Sequence, residues 1–158
     1  MRSQELGWLN LVAVIDVWDR CVVGHLVSPR ARSAEWVAAL DQAVMARFPQ
    51  GIRERACGLR LQVDNGCQPT SRRFVAAART LGIDLAYTHI QAPRQNAYIE
   101  RFFRTLKEEE VWPNLYSTLD EARQSIGNYV SFYNEQRLHS ALGYQPPATF
   151  ARTQLLAA

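Results

Sequence analysis

The chain has 158 residues, 47% of them apolar, a formal net charge of +3 and an isoelectric point near 9.0. That is enough for one domain with a sizeable core and excludes a disordered chain, while the longest uninterrupted apolar runs, such as Leu11 to Ile15, are too short to span a bilayer. Seventeen arginines against one lysine suit a nucleic-acid partner, and Cys21, Cys57 and Cys67, with no C-x-x-C pair, indicate neither a disulfide framework nor zinc. The opening residues Met1 to Glu5 lack the apolar stretch of a signal peptide, so the expectation is a soluble protein of the reducing cytoplasm, with no membrane partner.

In chain order, Trp8 to Val17 and Cys21 to Val27 read as two strands of an antiparallel hairpin around the polar turn Trp18-Asp19-Arg20, preceded only by a very short leader. Ser33 looks like the cap of a helix with apolar residues at 36, 37, 40, 44 and 48, ended before Pro49 and Gly51. A strand from Leu59 runs to Asp64. Thr70 or Ser71 caps a helix through Leu81, stopped by Gly82, and Ile83 to Tyr87 is extended. His89 to Gln95 is a loop into a helix whose apolar residues 99, 102, 103 and 106 share one face, and Thr118 with Glu121 makes a capping box for a helix to about Gln136. This order predicts an α/β fold, a mixed sheet with helices on its faces. Residues 1–115 make the core and 116–158 a C-terminal helix and tail of the same domain.

Asp64 and Glu100 are the candidate chemical groups. Asp64 closes an apolar strand and is followed by Asn65-Gly66, so its carboxylate is delivered to a loop. The following residues do not alternate as a returning strand would but run into a helix cap, which opens an edge where ligands bind in α/β sheets. Glu100 lies on a helix, with Arg104 and Lys107 at i+4 and i+7 along the same face. Two carboxylates in a basic chain suit a hard divalent cation that bridges to phosphate, with Arg72, Arg73, Arg79, Arg94, Arg101 and Arg104 as a phosphate track. Glu108, Glu109 and Glu110 point in different directions on a helix and are expected to be a solvated helix end. His25, His89 and His139 have no metal-ligand spacing, although His89, in the loop before the Glu100 helix, is placed to touch DNA.

These residues resemble the DDE transposases of bacterial insertion sequences, whose catalytic core is similar to retroviral integrase. The resemblance rests on Gly7-Trp8-Leu9, Ala13-Val14-Ile15-Asp16, Val22-Val23-Gly24, Val63-Asp64-Asn65-Gly66, Glu100 to Lys107 and the tail Phe132 to Ala148, with 35 residues between Asp64 and Glu100. It implies a ribonuclease H-like fold and three carboxylates holding two magnesium ions, with manganese as a substitute. Asp64 would be the second carboxylate and Glu100 the third; Lys107, Arg104, Arg101, Arg94 and Arg72 would contact DNA. The implied activity is cleavage and strand transfer at insertion-sequence ends and target DNA, at the bacterial nucleoid, with a homo-oligomer or a full-length transposase as partner.

In the family the first aspartate sits on a central first strand before the Gly-Trp-Leu turn. Met1 to Leu6 contains no aspartate, and Asp16 matches a position that is not a metal ligand. The expectation is therefore a core lacking its central first strand, inactive alone, with an apolar sheet edge that favours self-association. The alternative is a non-catalytic fragment that binds DNA or a transposase and modulates transposition. A ribonuclease acting on RNA–DNA hybrids is a third reading, against which the tail argues.

Overall fold

The computed structural model describes residues 1–5, 7–51, 58–88 and 96–157, without the side chains of Arg2 and Ala157. The first residues are more than a leader. β1 (Arg2–Ser3) pairs antiparallel with β2 (Gly7–Trp8), and Gly7, at φ 71°, supplies the left-handed backbone this return needs. Ser3 also bridges in parallel to Tyr116, and the Gln4 amide donates to the Tyr116 carbonyl at 2.9 Å. The N-terminus thus ties the hairpin to the entry of the last long helix, a long-range pairing that no local pattern signals.

The hairpin follows as β3 (Asn10–Ile15) and β4 (Val22–Ser28), antiparallel with Asn10 opposite Ser28 and an irregularity between Val14 and Ile15. The expected single strand from Trp8 is in fact two, split at the buried Leu9. α1 (Ser33–Arg47) begins with Arg32, not Ser33, at its cap: the Arg32 amide donates to Glu35 at 2.9 Å, so Glu35 closes the first turn. α1 packs two faces. Trp36, Val37, Leu40 and Val44 point to one core, while Ala39 and Ala43 lie against Gly24 of β4.

β5 (Arg60–Val63) and β6 (Asp84–Tyr87) pair in parallel around α2 (Arg72–Thr80), capped as expected by Ser71, whose hydroxyl accepts from the Phe74 amide. α3 (Ala97–Leu106) continues without a break into a π-helical turn, Lys107–Val111. α4 (Leu119–Glu135) starts at Thr118, whose hydroxyl accepts from the Glu121 amide at 3.1 Å, while the Glu121 carboxylate reaches Ser117 rather than Thr118. A 3₁₀ turn, Ser140–Leu142, precedes α5 (Pro147–Ala157).

The strands form three two-stranded pieces, antiparallel and parallel, and among the described residues no strand joins the β3–β4 hairpin to the β5–β6 pair. Two apolar clusters result. One gathers Leu9, Val22 and Val27 of the hairpin region with Phe102, Leu106, Tyr116, Ile126, Val130 and Tyr133, so residues on both sides of position 115 share a core. The other gathers Leu40, Val63, Phe74, Ala78 and Ile83, with Trp36 edge-on to Phe74 at 5.8 Å. No helix among the described residues is long and apolar enough to cross a membrane.

His25 of β4 lies opposite Gly127 of α4, and burial lowers its basicity below the ordinary value of 6.5. His139 is lowered too, by burial and then by the Arg137 charge. Both are therefore neutral in the folded chain at a pH where the unfolded chain already takes up protons. Stability is complete above the unfolded value of 6.5 and declines as the pH falls below it, until the lower folded values are reached. Thermal melts between about pH 7.5 and about pH 5 are expected to show this decline, and His25→Gln to flatten it. An unchanged slope in the variant would remove His25 from the account.

Candidate active site

Asp64 directly follows β5 and is exposed. Its Oδ1 accepts from the Gly66 amide at 2.9 Å, an Asx turn, and a Cβ on Gly66 would meet that oxygen at 2.8 Å, so a larger residue would push the carboxylate aside. The loop is anchored on both sides: Asn65 donates to the Thr88 carbonyl at 2.7 Å and the Thr70 hydroxyl to the Gly66 carbonyl at 2.7 Å. The chain then enters the Ser71 cap, the strand-to-helix course that the sequence predicts.

Glu100 stands in the first turn of α3, exposed, with no ion pair or hydrogen bond to its carboxylate among the described residues. The core side of the same helix is fixed by Phe102, which meets Tyr133 edge-to-face at 5.1 Å. Alternation of these two faces explains why the carboxylate points outward. Arg101, Arg104 and Lys107 are exposed as well, and so is Arg72 at the start of α2. Arg104 is partly committed, its Nε donating to Glu108 at 2.9 Å. Arg94 and His89 lie outside the described residues. No group of three or more His, Cys, Asp or Glu side chains is gathered as a metal cage among the described residues.

Two of the three glutamates after Lys107, Glu109 and Glu110, are more than the expected solvated helix end. Arg137 grips both oxygens of Glu109, at 2.7 Å from Nη2 and 3.0 Å from Nε, and the Tyr129 hydroxyl donates to it at 2.8 Å. This hydrogen bonding from Arg137 holds the Glu109 carboxyl below the usual carboxylate range. Glu110 accepts from Ser125 at 2.5 Å and from Tyr116 at 3.1 Å. The wider π turn directs Glu109 and Glu110 to partners on or just beyond α4, leaving Glu108 on the surface with Arg104. The sequence conceals this because all the partners but Tyr116 lie 15 to 28 residues away.

The hairpin turn holds the feature that sequence reading missed most completely. Asp19 is fully buried and shares the Arg47 guanidinium with Asp16, at 2.5 Å and 3.1 Å. Asp16 also accepts from the Trp18 amide at 2.9 Å, so it is engaged both in the turn and in an ion pair. Burial, with the Asp19 charge next to it, pushes the Cys21 thiol up to about 12, an unreactive thiol. Arg20 has φ 67°, a left-handed backbone that costs a residue with a Cβ about 1 kcal/mol relative to glycine. Its guanidinium lies 3.7 Å from the ring centre of Tyr98, in the first turn of α3. An acidic turn with one arginine is the only trace of all this in the sequence.

Two exposed carboxylates, Asp64 leaving a strand and Glu100 on a helix, thus stand on a small α/β core. The integrase core domain family matches residues 1–93, and a second integrase core description matches residues 81–147. The chain belongs to the integrase core domain family. It is 33% identical over 147 residues to the transposase of insertion sequence element IS904 of Lactococcus lactis, covering 92% of this chain and 56% of that protein. It is 30% identical over 156 residues to transposase InsF of insertion sequence IS3A of Escherichia coli, covering 98% of this chain and 52% of that protein. The chain thus spans about half the length of the curated relatives it matches.

Solved structures bear out the fold. The catalytic core of BIV integrase superposes with a TM-score of 0.65 at 18% identity, covering 93% of this chain and 88% of that one. A chain of the simian T-cell lymphotropic virus intasome, in complex with PP2A regulatory subunit B56 gamma, gives 0.68 at 18% identity, over 88% of this chain and 46% of that one.

Proposed function

We propose that Asp64 and Glu100 are metal-holding carboxylates of a transposase core whose activity is magnesium-dependent phosphodiester cleavage and DNA strand transfer. The observation that carries the proposal is the pairing of placement with availability: both carboxylates are exposed, on the two elements the family motif predicts, and neither is paired with an arginine among the described residues. The donor chemistry suits magnesium, which keeps several waters and takes one or two carboxylates together with substrate phosphate. Such an ion stabilises the charge that develops on phosphate oxygens during in-line displacement. Arg72, Arg94, Arg101, Arg104 and Lys107 are the proposed contacts to the DNA backbone, and copies of the chain or a longer transposase the proposed protein partners, in the cytoplasm at the nucleoid.

A second reading is favoured by one observation, that no three His, Cys, Asp or Glu side chains are gathered into a metal-holding group among the described residues. In that reading the chain binds DNA or a transposase without cutting. Both are tested by divalent-dependent nicking of supercoiled DNA and by manganese titration of the wild type, Asp64→Asn and Glu100→Gln. Manganese binding and nicking lost together in both variants support the catalytic reading. DNA binding that is equal in all three proteins, with no metal-dependent step, supports the second.

A further inference from the structure

We propose that Arg20 is a positioning residue that clamps the first turn of α3 and so fixes the pose of Glu100. The inference rests on reading Glu100 as a metal ligand, whereas the clamp itself does not. Tyr98 and Phe102 flank Glu100 at two residues on either side. Phe102 anchors the helix in the core, but the upstream end lacks the usual fastening: Asn96, at the cap, makes no side-chain hydrogen bond to the first turn. The Arg20 guanidinium stacked 3.7 Å over the Tyr98 ring is what holds that end, since a cation over an aromatic face is attracted by its negative quadrupole.

Arg20 is poorly explained by stability alone. Its backbone is left-handed, a conformation glycine adopts freely, and its Nη1 is buried without a hydrogen-bond partner among the described residues. Strain and an unpartnered donor in one residue mark a side chain kept for what it does. The base of the clamp is rigid, because the turn is closed by the Arg20 amide on the Asp16 carbonyl at 2.9 Å and locked by Arg47 on Asp16 and Asp19.

Four variants, Arg20→Gly, Arg20→Lys, Tyr98→Leu and Tyr98→Phe, test this in the chain as it stands. Glycine accepts the turn's backbone, so Arg20→Gly removes the guanidinium without collapsing the hairpin. The amides of Arg101 and Phe102, which in an α-helix bond to the carbonyls of Ala97 and Tyr98, are followed by hydrogen exchange without metal. They are expected to exchange about tenfold faster in Arg20→Gly and Tyr98→Leu, with α4 unchanged, as loss of a partly desolvated cation–π contact predicts. Tyr98→Phe keeps the ring face and Arg20→Lys the charge, so both are expected to stay near wild type.

Manganese affinity is expected to fall by a similar factor of about ten in Arg20→Gly and to be retained in Tyr98→Phe. Unchanged exchange in Arg20→Gly overturns the clamp. Faster exchange with wild-type manganese affinity, where Glu100→Gln has lost binding, overturns the positioning role. Equal manganese titrations for wild type and Glu100→Gln overturn the reading of Glu100 instead, and the exchange data still judge the clamp.

Discussion

Gly24→Ala is expected to lose about 3 kcal/mol of folding stability or more, the upper end for overpacking a well-filled interior. A Cβ at this position would lie 2.2 Å from the Ala39 carbonyl oxygen and 2.9 Å from the Ala43 amide nitrogen. Both are backbone atoms of α1, and no rotamer change can move them. The helix would have to shift away from β4 as a body, disturbing the packing of Trp36, Val37 and Leu40 against Phe74. In a chain of this length that corresponds to a drop in melting temperature of about 6 to 12 °C. Urea unfolding of Gly24→Ala beside wild type measures it, and a difference below about 1 kcal/mol would show that α1 does not seat on Gly24 as described.

Arg47→Met is the second large effect, expected near 3 kcal/mol, at the lower end for unpairing a buried charge because Arg47 is itself partly exposed. Its guanidinium neutralises the fully buried Asp19 and the half-buried Asp16 together. Methionine covers the same surface but removes the charge that balances Asp19, leaving it with the neutral Cys21 amide, at 2.8 Å, and thiol. Urea unfolding of Arg47→Met beside wild type measures it, and a difference below about 1 kcal/mol would show that the ion pair does not hold the turn as described.

Much of the local architecture was legible because its causes are local. Ser71 and Thr118 cap helices through hydroxyls acting three residues away, and Gly82, at φ 69°, stops the turn after Leu81 as its freedom from a Cβ predicts. Asp64 and Glu100 could be singled out by the same logic: a strand that ends in Asp-Asn-Gly, and a glutamate on the edge of an apolar helical stripe. Long-range features were not legible. Whether Glu109 is solvated or gripped depends on Arg137, 28 residues on, and nothing between the two sets that meeting. Arg32 displaced Ser33 at the cap because Glu35 reaches a backbone amide, which any residue type supplies. The mixed sheet expected from element order is present among the described residues as small two-stranded pieces, and which edges pair is something strand order does not say.

The division of the interior into two clusters has a consequence for the metal. Asp64 follows Val63, rooted in the cluster of α1, α2 and β5, while Glu100 stands two residues from Phe102, rooted in the cluster of α3, α4 and the hairpin. The proposed ligands therefore sit on the two jaws of a caliper, and α1, wedged between Gly24 on one side and Phe74 on the other, is its screw. An ion that needs both jaws reads the setting of that screw, so affinity becomes a gauge of packing far from either carboxylate. Conservative trimming of α1, such as Leu40→Val, would then loosen metal binding in proportion to how far the jaws shift, with no change to any ligand.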